Sequence, residues 1–529
     1  HKRAKTLLFL VKEGETMTQI EYLSLSGFQR FFYNIGHFFV KIPEKTASFC
    51  SKLPSKLSNL GQKIISPVET VKDAAVYGDW RTRLSFLIMG FGQMTRHQII
   101  RGCLYFAYEV FFIIFMILAG AKNLSALSTF GQMGYTEVIQ NGAPVYYYYD
   151  DSLQILIYSV IAIFFILILA FLYIAQLKDS LKLQRASIIG IKTSDKETLN
   201  DILDASYHRT LLSIPMVGLV TFTIIPISIM ILIAFTNYDT YHLTPKSLID
   251  WVGVSNFAQL FGQSSENSGN GAVFLQTFGQ VLLWTLLWAF FATFSNYFLG
   301  MIVAMMINKK GIKLKKLWRT ILITTIAVPQ FISLLLVSRM FNQDQGFVNS
   351  ILRQWGWING NIPWLIDGTL AKVMIIIINT WIGIPYTMLI CTGLLMNIPG
   401  DLYESAKIDG ASPARTYFKI TLPYMLFVTT PYLISQFVGN INNFNVIYLL
   451  TQGGPNFTYS VANVPTQLNG VGKTDLLITW IYKICMTNVY KDYGTAAVLG
   501  IMVFVIVAFF SLIFYNNSKS VKNEEDFQL

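Results

Sequence analysis

The chain has 529 residues, 53% of them hydrophobic and only 13% charged, with a mean hydropathy of +0.48. A water-soluble domain carries about 25% charged residues, so this chain has to place apolar surface in lipid, and a purely aqueous protein is excluded. Its net charge of +11 invites a nucleic-acid partner, but the placement of the charges assigns them to membrane topology instead.

In chain order, residues 1–100 precede the first long apolar segment and are expected to form a cytoplasmic N-terminal region. The first apolar run, 7–11, is too short for a signal peptide and lacks a small-residue cleavage site. Stretches 20–40 and 47–71 mix Lys and Arg with large apolar residues. Phe28, Phe31, Phe32, Ile35 and Phe39 recur at three-to-four-residue spacing, the pattern of an amphipathic helix on the membrane surface. A packed cytoplasmic helix has the same pattern.

Eight stretches reach the roughly 20 apolar residues a bilayer crossing needs. They lie near 103–120, 153–175, 212–235, 279–306, 320–338, 372–396, 424–449 and 494–515. Asn296 interrupts the fourth, and Asn440, Asn442 and Asn443 the seventh. The expected fold is an all-α polytopic membrane protein with about eight transmembrane helices. Residues 101–210 supply two additional helices and a basic loop, 211–516 a core transmembrane domain containing the loop 397–423, and 517–529 a tail. Of the 40 Lys and Arg, 32 fall before the first span, in every second loop, and after the eighth span. By the positive-inside rule those segments, and both termini, are cytoplasmic. The basic charge then serves topology and anionic lipid, and no nucleic-acid partner is expected.

The loop at 236–278 carries Phe235-Thr236-Asn237-Tyr238-Asp239, then Phe257-Ala258-Gln259-Leu260-Phe261, then a Gly/Ser/Asn-rich patch over 262–271 that fits a flexible turn. Leu450-Thr451-Gln452-Gly453-Gly454-Pro455 marks a sharp bend after the seventh span. Gly470-Val471-Gly472-Lys473-Thr474 imitates the end of a phosphate-binding loop. That motif needs Gly at 467, where Gln467 stands, and the topology puts it outside the cell. Cys50, Cys103, Cys391, Cys485 and five histidines show no metal or disulfide spacing.

Polar residues inside spans carry more information, because an amide in hydrocarbon must face another helix or a cavity. Asn379, Gly383 and Tyr386 share one face of the sixth span, with Pro385 placed to kink it. Gln436, Gly439, Asn440 and Asn443 share a face of the seventh. Such groups can bind sugar hydroxyls, and they can equally join helices to one another.

Between these two spans lies 404–423, ESAKIDGASPARTYFKITLP. Asp409-Gly410 is a turn signal, and Pro423 is expected to stop the second helix. The stretch resembles the coupling loop of ABC-importer permeases, whose pattern reads E-A-A, two residues, D-G-A, eight residues, I-x-L-P. Glu404, Ala406, Asp409, Gly410, Ala411, Ile420, Leu422 and Pro423 fall in register, while Ser405 replaces the usual Ala and Tyr417 the usual Phe. Asn379-Thr380-Trp381-x-Gly383-x-Pro385-Tyr386, and Asn442-Asn443-Phe444 followed by the Gly-Gly-Pro turn, narrow the resemblance to the larger permease subunit of maltose/maltodextrin importers. It covers 210–516 and, more loosely, 80–210. Gly78-Asp79-Trp80, the run 84–92, and the absence of a large insert resemble Gram-positive relatives.

The resemblance implies a type I ABC-importer permease fold in a bacterial cytoplasmic membrane. It implies a mid-membrane sugar site at Asn379, Ile382, Gly383, Tyr386, Gln436, Gly439, Asn440 and Asn443, and coupling to an ATPase through Glu404, Ser405, Ala406, Asp409, Gly410 and Ala411. Gln436 and Gly439 depart from the best-known member, which has Ser and Phe there. The implied partners are a second permease subunit, two copies of an ABC ATPase subunit, an extracytoplasmic solute-binding protein, an oligosaccharide and the bilayer. ATP and Mg would sit on the ATPase subunits, leaving this chain no cofactor and no enzymatic activity of its own. The alternatives are another sugar, glycerol phosphate, or an ion-coupled secondary transporter; the last usually carries charges mid-span, which these spans almost lack.

Overall fold

The computed structural model describes residues 66–517 except 133–134, 141–142, 149, 192–193, 201–203, 205–206, 244–246, 262–269, 310 and 460–465. The amphipathic stretch expected at 20–40, most of 47–71, nearly all of the Gly/Ser/Asn patch and the tail beyond 517 lie outside the described residues. The chain divides into two compact units, one of residues up to 121 with 162–216, the other of 122–161 with 217–529.

Among the described residues six helices are long and apolar enough to cross a membrane, or seven if one bent pair counts as a span. In chain order these and their neighbours are α1 (Ile99–Ala126), strands β1 (Tyr135–Gln140) and β2 (Ala143–Tyr148), α2 (Ser152–Ile188) and α3 (Thr210–Ile233). There follow α4 (Asn270–Asn308), the bent pair α5 (Lys315–Ala327) and α6 (Gln330–Met340), α7 (Gly368–Leu395), α8 (Gly400–Ile408), α9 (Leu422–Ile441), α10 (Phe444–Thr451), α11 (Leu477–Thr487) and α12 (Tyr493–Asn517).

Two details correct the sequence reading. The fifth apolar stretch is two helices meeting at 88°, because Pro329 forces Val328 into an extended conformation with ψ 122°. The seventh is not one helix to 449: α9 ends at Ile441, and Asn443 caps α10 by accepting from Val446 N at 3.3 Å. Beside the helices that make the fold, β1 and β2 form one antiparallel hairpin with Tyr135 opposite Tyr148. The tyrosine run at 146–148 suits a pleated strand better than a helix.

In the second unit α4 is the central post, and its most extensive packing is on α7. Trp284, Trp288 and Ala292 of α4 pack with Leu334 and Val337 of α6, Met374, Ile375 and Ile378 of α7, and Val446 and Ile447 of α10. Further along α4, Tyr297, Met301 and Ala304 meet Met388 and Cys391 of α7 and Met425 and Leu433 of α9. The first turns of α4, with Phe274 and Phe278, close on Trp480 of α11 and Ala496–Leu499 of α12.

The loops at one end of this unit are tied by polar links. Asp239 accepts from Tyr241 N, His242 N and the Tyr490 hydroxyl at 2.7, 2.9 and 2.6 Å, and Tyr238 stacks on Tyr493. Burial alone would raise the Asp239 pKa, but these bonds outweigh it and hold the carboxyl below its ordinary value. Its stabilisation is therefore full above the ordinary carboxylate range and is lost as pH falls through the depressed pKa. Asp475, fully buried, accepts from Lys483 Nζ at 2.6 Å, Gly472 N at 2.7 Å and Thr479 Oγ1 at 2.8 Å.

That arrangement also disposes of the phosphate-loop imitation. The amides of Gly472, Lys473, Thr474 and Asp475 donate to the Asp475 carboxylate, Pro455 O, Gly453 O and Gly472 O, so none is free to cradle an anion. Removing the carboxylate in Asp475→Ala leaves the Lys483 ammonium buried, and a loss of about 3–5 kcal/mol is expected. Thermal unfolding of the purified protein measures it, and a midpoint equal to that of the unaltered chain would contradict the buried-pair description.

Candidate functional site

Helix α7 runs unbroken through Pro385 and faces α4 across a seam made by small residues. A Cβ on Gly383 would come within 2.5 Å of the Asn296 amide, and one on Gly300 within 2.7 Å of Thr387 Cβ. Without side chains at these positions the helices close on each other, as small residues allow in membrane bundles. The Asn296 amide then lies directly against α7.

Beside this contact is a cavity of about 70 Å³ lined by Thr293, Asn296 and Tyr297 of α4, Gly383, Tyr386 and Thr387 of α7, and Tyr432, Leu433 and Gln436 of α9. By this measure a water molecule needs about 10–15 Å³ and a ligand pocket about 300–1,000 Å³, so the space admits a few waters. In this conformation the site is a polar constriction. Two buried amide atoms near this layer have no partner among the described residues, Asn296 Oδ1 and Asn379 Nδ2. A buried amide left unpaired costs about 1–3 kcal/mol, which a hydroxyl-rich ligand or water could recover.

The eight positions implied by the resemblance separate into groups. Gly383, Tyr386 and Gln436 line the cavity. Asn440 donates from Nδ2 to Thr293 Oγ1 at 3.0 Å and accepts on Oδ1 from Asn443 Nδ2 at 3.3 Å, while its backbone carbonyl accepts from Trp288 Nε1 at 3.0 Å. Asn440 and Asn443 therefore brace the junction of α4, α9 and α10. Asn379 is buried, Ile382 packs against the Trp284–Trp288 cluster, and Gly439 is exposed with open space where a Cβ would sit.

Sequence reading missed the α4 wall. Thr293, Asn296 and Tyr297 lie at three-to-four-residue spacing within an apolar helix, so their shared face was detectable, but nothing in the sequence says which helix it meets. The lining offers hydroxyls, amides and phenol rings without a carboxylate, imidazole or lysine. It can exchange hydrogen bonds with a neutral polyol and stack on its apolar faces.

The second candidate surface is the connection from α7 to α9. Helix α8 ends in a Schellman closure: Ala411 N donates to Ala406 O at 2.9 Å and Gly410 N to Lys407 O at 3.1 Å. Gly410 has φ +69°, which suits glycine. Ser412 then caps Pro413–Thr416 by accepting from Arg415 N at 3.3 Å. Pro423 does not stop the helix, contrary to expectation. A π turn at Tyr417–Thr421 carries the Leu422 N–H to Tyr417 O, and the widened turn accommodates the ring. The chain is thus helical from Pro413 to Ile441. The Tyr403 hydroxyl lies 3.1 Å from Thr421 Oγ1, tying α8 to the base of α9. Ala406 is buried, whereas Glu404, Ser405, Asp409 and Gly410 are exposed, with Ile408 86% and Phe418 63% exposed beside them.

Residues 296–523 match the family model described as the inner membrane component of binding-protein-dependent transport systems. The chain is similar to a maltodextrin transport system permease of Bacillus subtilis, 34% identical over 447 residues, covering 83% of this chain and 95% of the relative. A galactooligosaccharides transport system permease of the same organism is 34% identical over 439 residues, covering 83% and 97%. The maltose/maltodextrin permease of Escherichia coli is 36% identical over 279 residues, covering 52% of this chain and 51% of that one.

The two kinds of site residue should respond differently to truncation. Asn440→Ala strands Thr293 and Asn443 and is expected to destabilise by about 1–3 kcal/mol. Tyr386→Ala, at an exposed position, should stay within about 0.5 kcal/mol. Thermal unfolding in detergent compares them; equal losses would contradict the assignment of Asn440 as a brace.

Proposed function

This chain belongs to the inner-membrane permeases of binding-protein-dependent transport systems, and we propose that it is one of two different permease subunits of an ATP-driven importer for maltodextrin-type oligosaccharides. One observation carries the reading. The exposed, glycine-closed α8 is anchored to the base of α9, and the same α9 carries Gln436 to the constriction and Asn440 to its brace. A push on α8 is thereby delivered to the polar layer about 15 residues up the helix, roughly 22 Å at 1.5 Å per residue.

In this reading α8 seats in a cleft on one of two ATPase subunits, with Ile408 and Phe418 supplying apolar contact and Glu404 a charge for a basic partner residue. ATP and Mg bind on those subunits, and this chain hydrolyses nothing. Their closure moves α7 and α9, so the constriction opens to alternate sides of the membrane. A single connection of this kind per chain supports a second, different permease to engage the other ATPase. Among the described residues, none in the apolar window of α3 is fully buried, which suits a helix covered by lipid and a partner subunit. The distribution of Lys and Arg supports cytoplasmic termini and a cytoplasmic α8 in a bacterial membrane. The loops at the opposite end, braced by Asp239 and Asp475, then receive sugar from a solute-binding protein. In the lining, Tyr386 and Tyr432 offer stacking surfaces, and Asn296 and Gln436 offer hydrogen bonds. The carbohydrate names of the relatives and the uncharged lining support an oligosaccharide over a phosphorylated solute.

The test is ATP hydrolysis by the assembled complex in lipid nanodiscs with sugar-loaded binding protein. Maltodextrins are expected to stimulate it, and Tyr386→Ala to weaken the stimulation about tenfold in apparent affinity, the equivalent of about 1.4 kcal/mol. A response to galactooligosaccharides alone would retain the transporter and replace the sugar. Absence of any partner-dependent hydrolysis would overturn the proposal.

A further inference from the structure

Residues 78–98 of the first unit are turned inside out. The buried side chains here are Thr82, Ser85, Gln93, Arg96 and Gln98, with Met89 the one large apolar member. Their neighbours Tyr77, Trp80, Leu84 and Leu87 are exposed, Leu87 at 74% and Trp80 at 61%. In water this arrangement buries groups that prefer solvent and exposes groups that avoid it. In hydrocarbon it is the favourable one.

The polar interior is well bonded. Arg96 donates from Nη2 to Asp79 Oδ1 at 2.6 Å and Thr82 Oγ1 at 3.0 Å, and from Nη1 to Ser180 Oγ at 3.1 Å and Gly92 O at 2.9 Å. The backbone is equally closed, although only Trp80–Leu84 and Phe91–Met94 are helical. Every backbone N–H from Ser85 to Arg96 has an acceptor within the unit. Where the local turns fail, side chains of long apolar helices complete the set. Met89 N donates to Glu109 Oε2 of α1 at 2.8 Å and Gly90 N to Gln176 Oε1 of α2 at 3.4 Å. Ser85 O accepts from Gln176 Nε2 at 2.9 Å and Phe86 O from the Tyr173 hydroxyl at 3.0 Å. Water would satisfy these groups without help; irregular backbone at membrane depth requires internal partners.

Those partners also fix the depth. Glu109 lies eight residues beyond Arg101 on α1, about 12 Å at 1.5 Å per residue. Tyr173 lies five residues inward of Lys178 on α2, about 7 Å by the same rise. The turn at Phe86–Met89 therefore reaches about 7–12 Å past the level of those charges, within a hydrocarbon leaflet of about 15 Å. The exposed apolar surface continues along the chain into α1 at Ile99, Leu104 and Phe111. Near the entry of the segment Arg81 lies 5.5 Å from the Trp80 ring, and Arg83 is exposed, the aromatic and basic pairing that suits an interface.

We propose that residues 78–98 form a re-entrant segment inserted into one leaflet, with Trp80, Leu84 and Leu87 in contact with lipid acyl chains and the Asp79–Arg96 network sealed inside. The region before the first span is then partly a membrane element, where sequence reading expected cytoplasm. The inference needs α1 and α2 to cross the bilayer, and it is independent of which solute is carried.

The experiment uses the full chain with its native cysteines replaced, in phosphatidylethanolamine/phosphatidylglycerol nanodiscs, carrying one nitroxide at a time on Leu87→Cys, on Leu104→Cys of α1, or on Lys72→Cys of the helix over 66–76. Collision with oxygen, which concentrates in lipid, is compared with collision with a water-soluble nickel chelate. Position 87 is expected to match position 104, with oxygen dominant, while position 72 favours nickel. Nickel dominance at 87 would overturn the insertion, and exclusion of both reagents there would assign the surface to a protein partner. Nickel dominance at 104 as well would overturn the spanning role of α1 and the inference with it.

Discussion

The Asn296 amide rests against the backbone of Gly383, where a single added methyl group would come within 2.5 Å of it. Much of the second unit depends on that fit. It allows α4 and α7 to close, which sets the spacing of the apolar layers on either side. It also holds a buried amide oxygen that has no partner among the described residues beside the cavity lined by Tyr386 and Gln436. The unpaired atom is a cost to the folded chain and an opportunity for a hydroxylated solute. A permease needs such a balance, because a site satisfied entirely by its own protein would have no reason to bind.

The rest of the unit keeps this layer connected to both ends of the bundle. Asn440 links α9 to Thr293 and, through Asn443, to the cap of α10. Above it the Asp475–Lys483 pair and the 453–455 turn lock a loop against the bundle. At the other end Tyr403 and Thr421 join α8 to the same helix. The π turn at Tyr417–Thr421 keeps the connection helical across Pro423, so one continuous run of helix joins Pro413 to the polar layer.

How much of this was legible followed from what a linear pattern can encode. Asp409-Gly410-Ala411 announced the turn because positive φ is a local demand, and the structure meets it with the expected glycine. The shared faces of Asn379, Gly383 and Tyr386, and of Gln436 and Asn440, were legible as helical spacing. Their division into lining, brace and packed residue was not, since that depends on the α4 wall. Pro423 and the seventh apolar stretch misled for opposite reasons: a π turn absorbed a residue that usually breaks helices, and an Asn cap broke a stretch that looked continuous. The segment 78–98 misled because membrane depth reverses the usual sense of polar and apolar, and periodicity alone does not reveal the surrounding medium.

The central claim is that α8 transmits ATPase closure to the polar layer through α9. The direct measurement is the ratio of sugar transported to ATP hydrolysed by reconstituted complexes carrying Gly410→Pro, which forbids the φ of +69° and removes the N–H that closes on Lys407. The account predicts an assembled complex that still hydrolyses ATP while transport per ATP falls sharply. An unchanged ratio in the variant would contradict it.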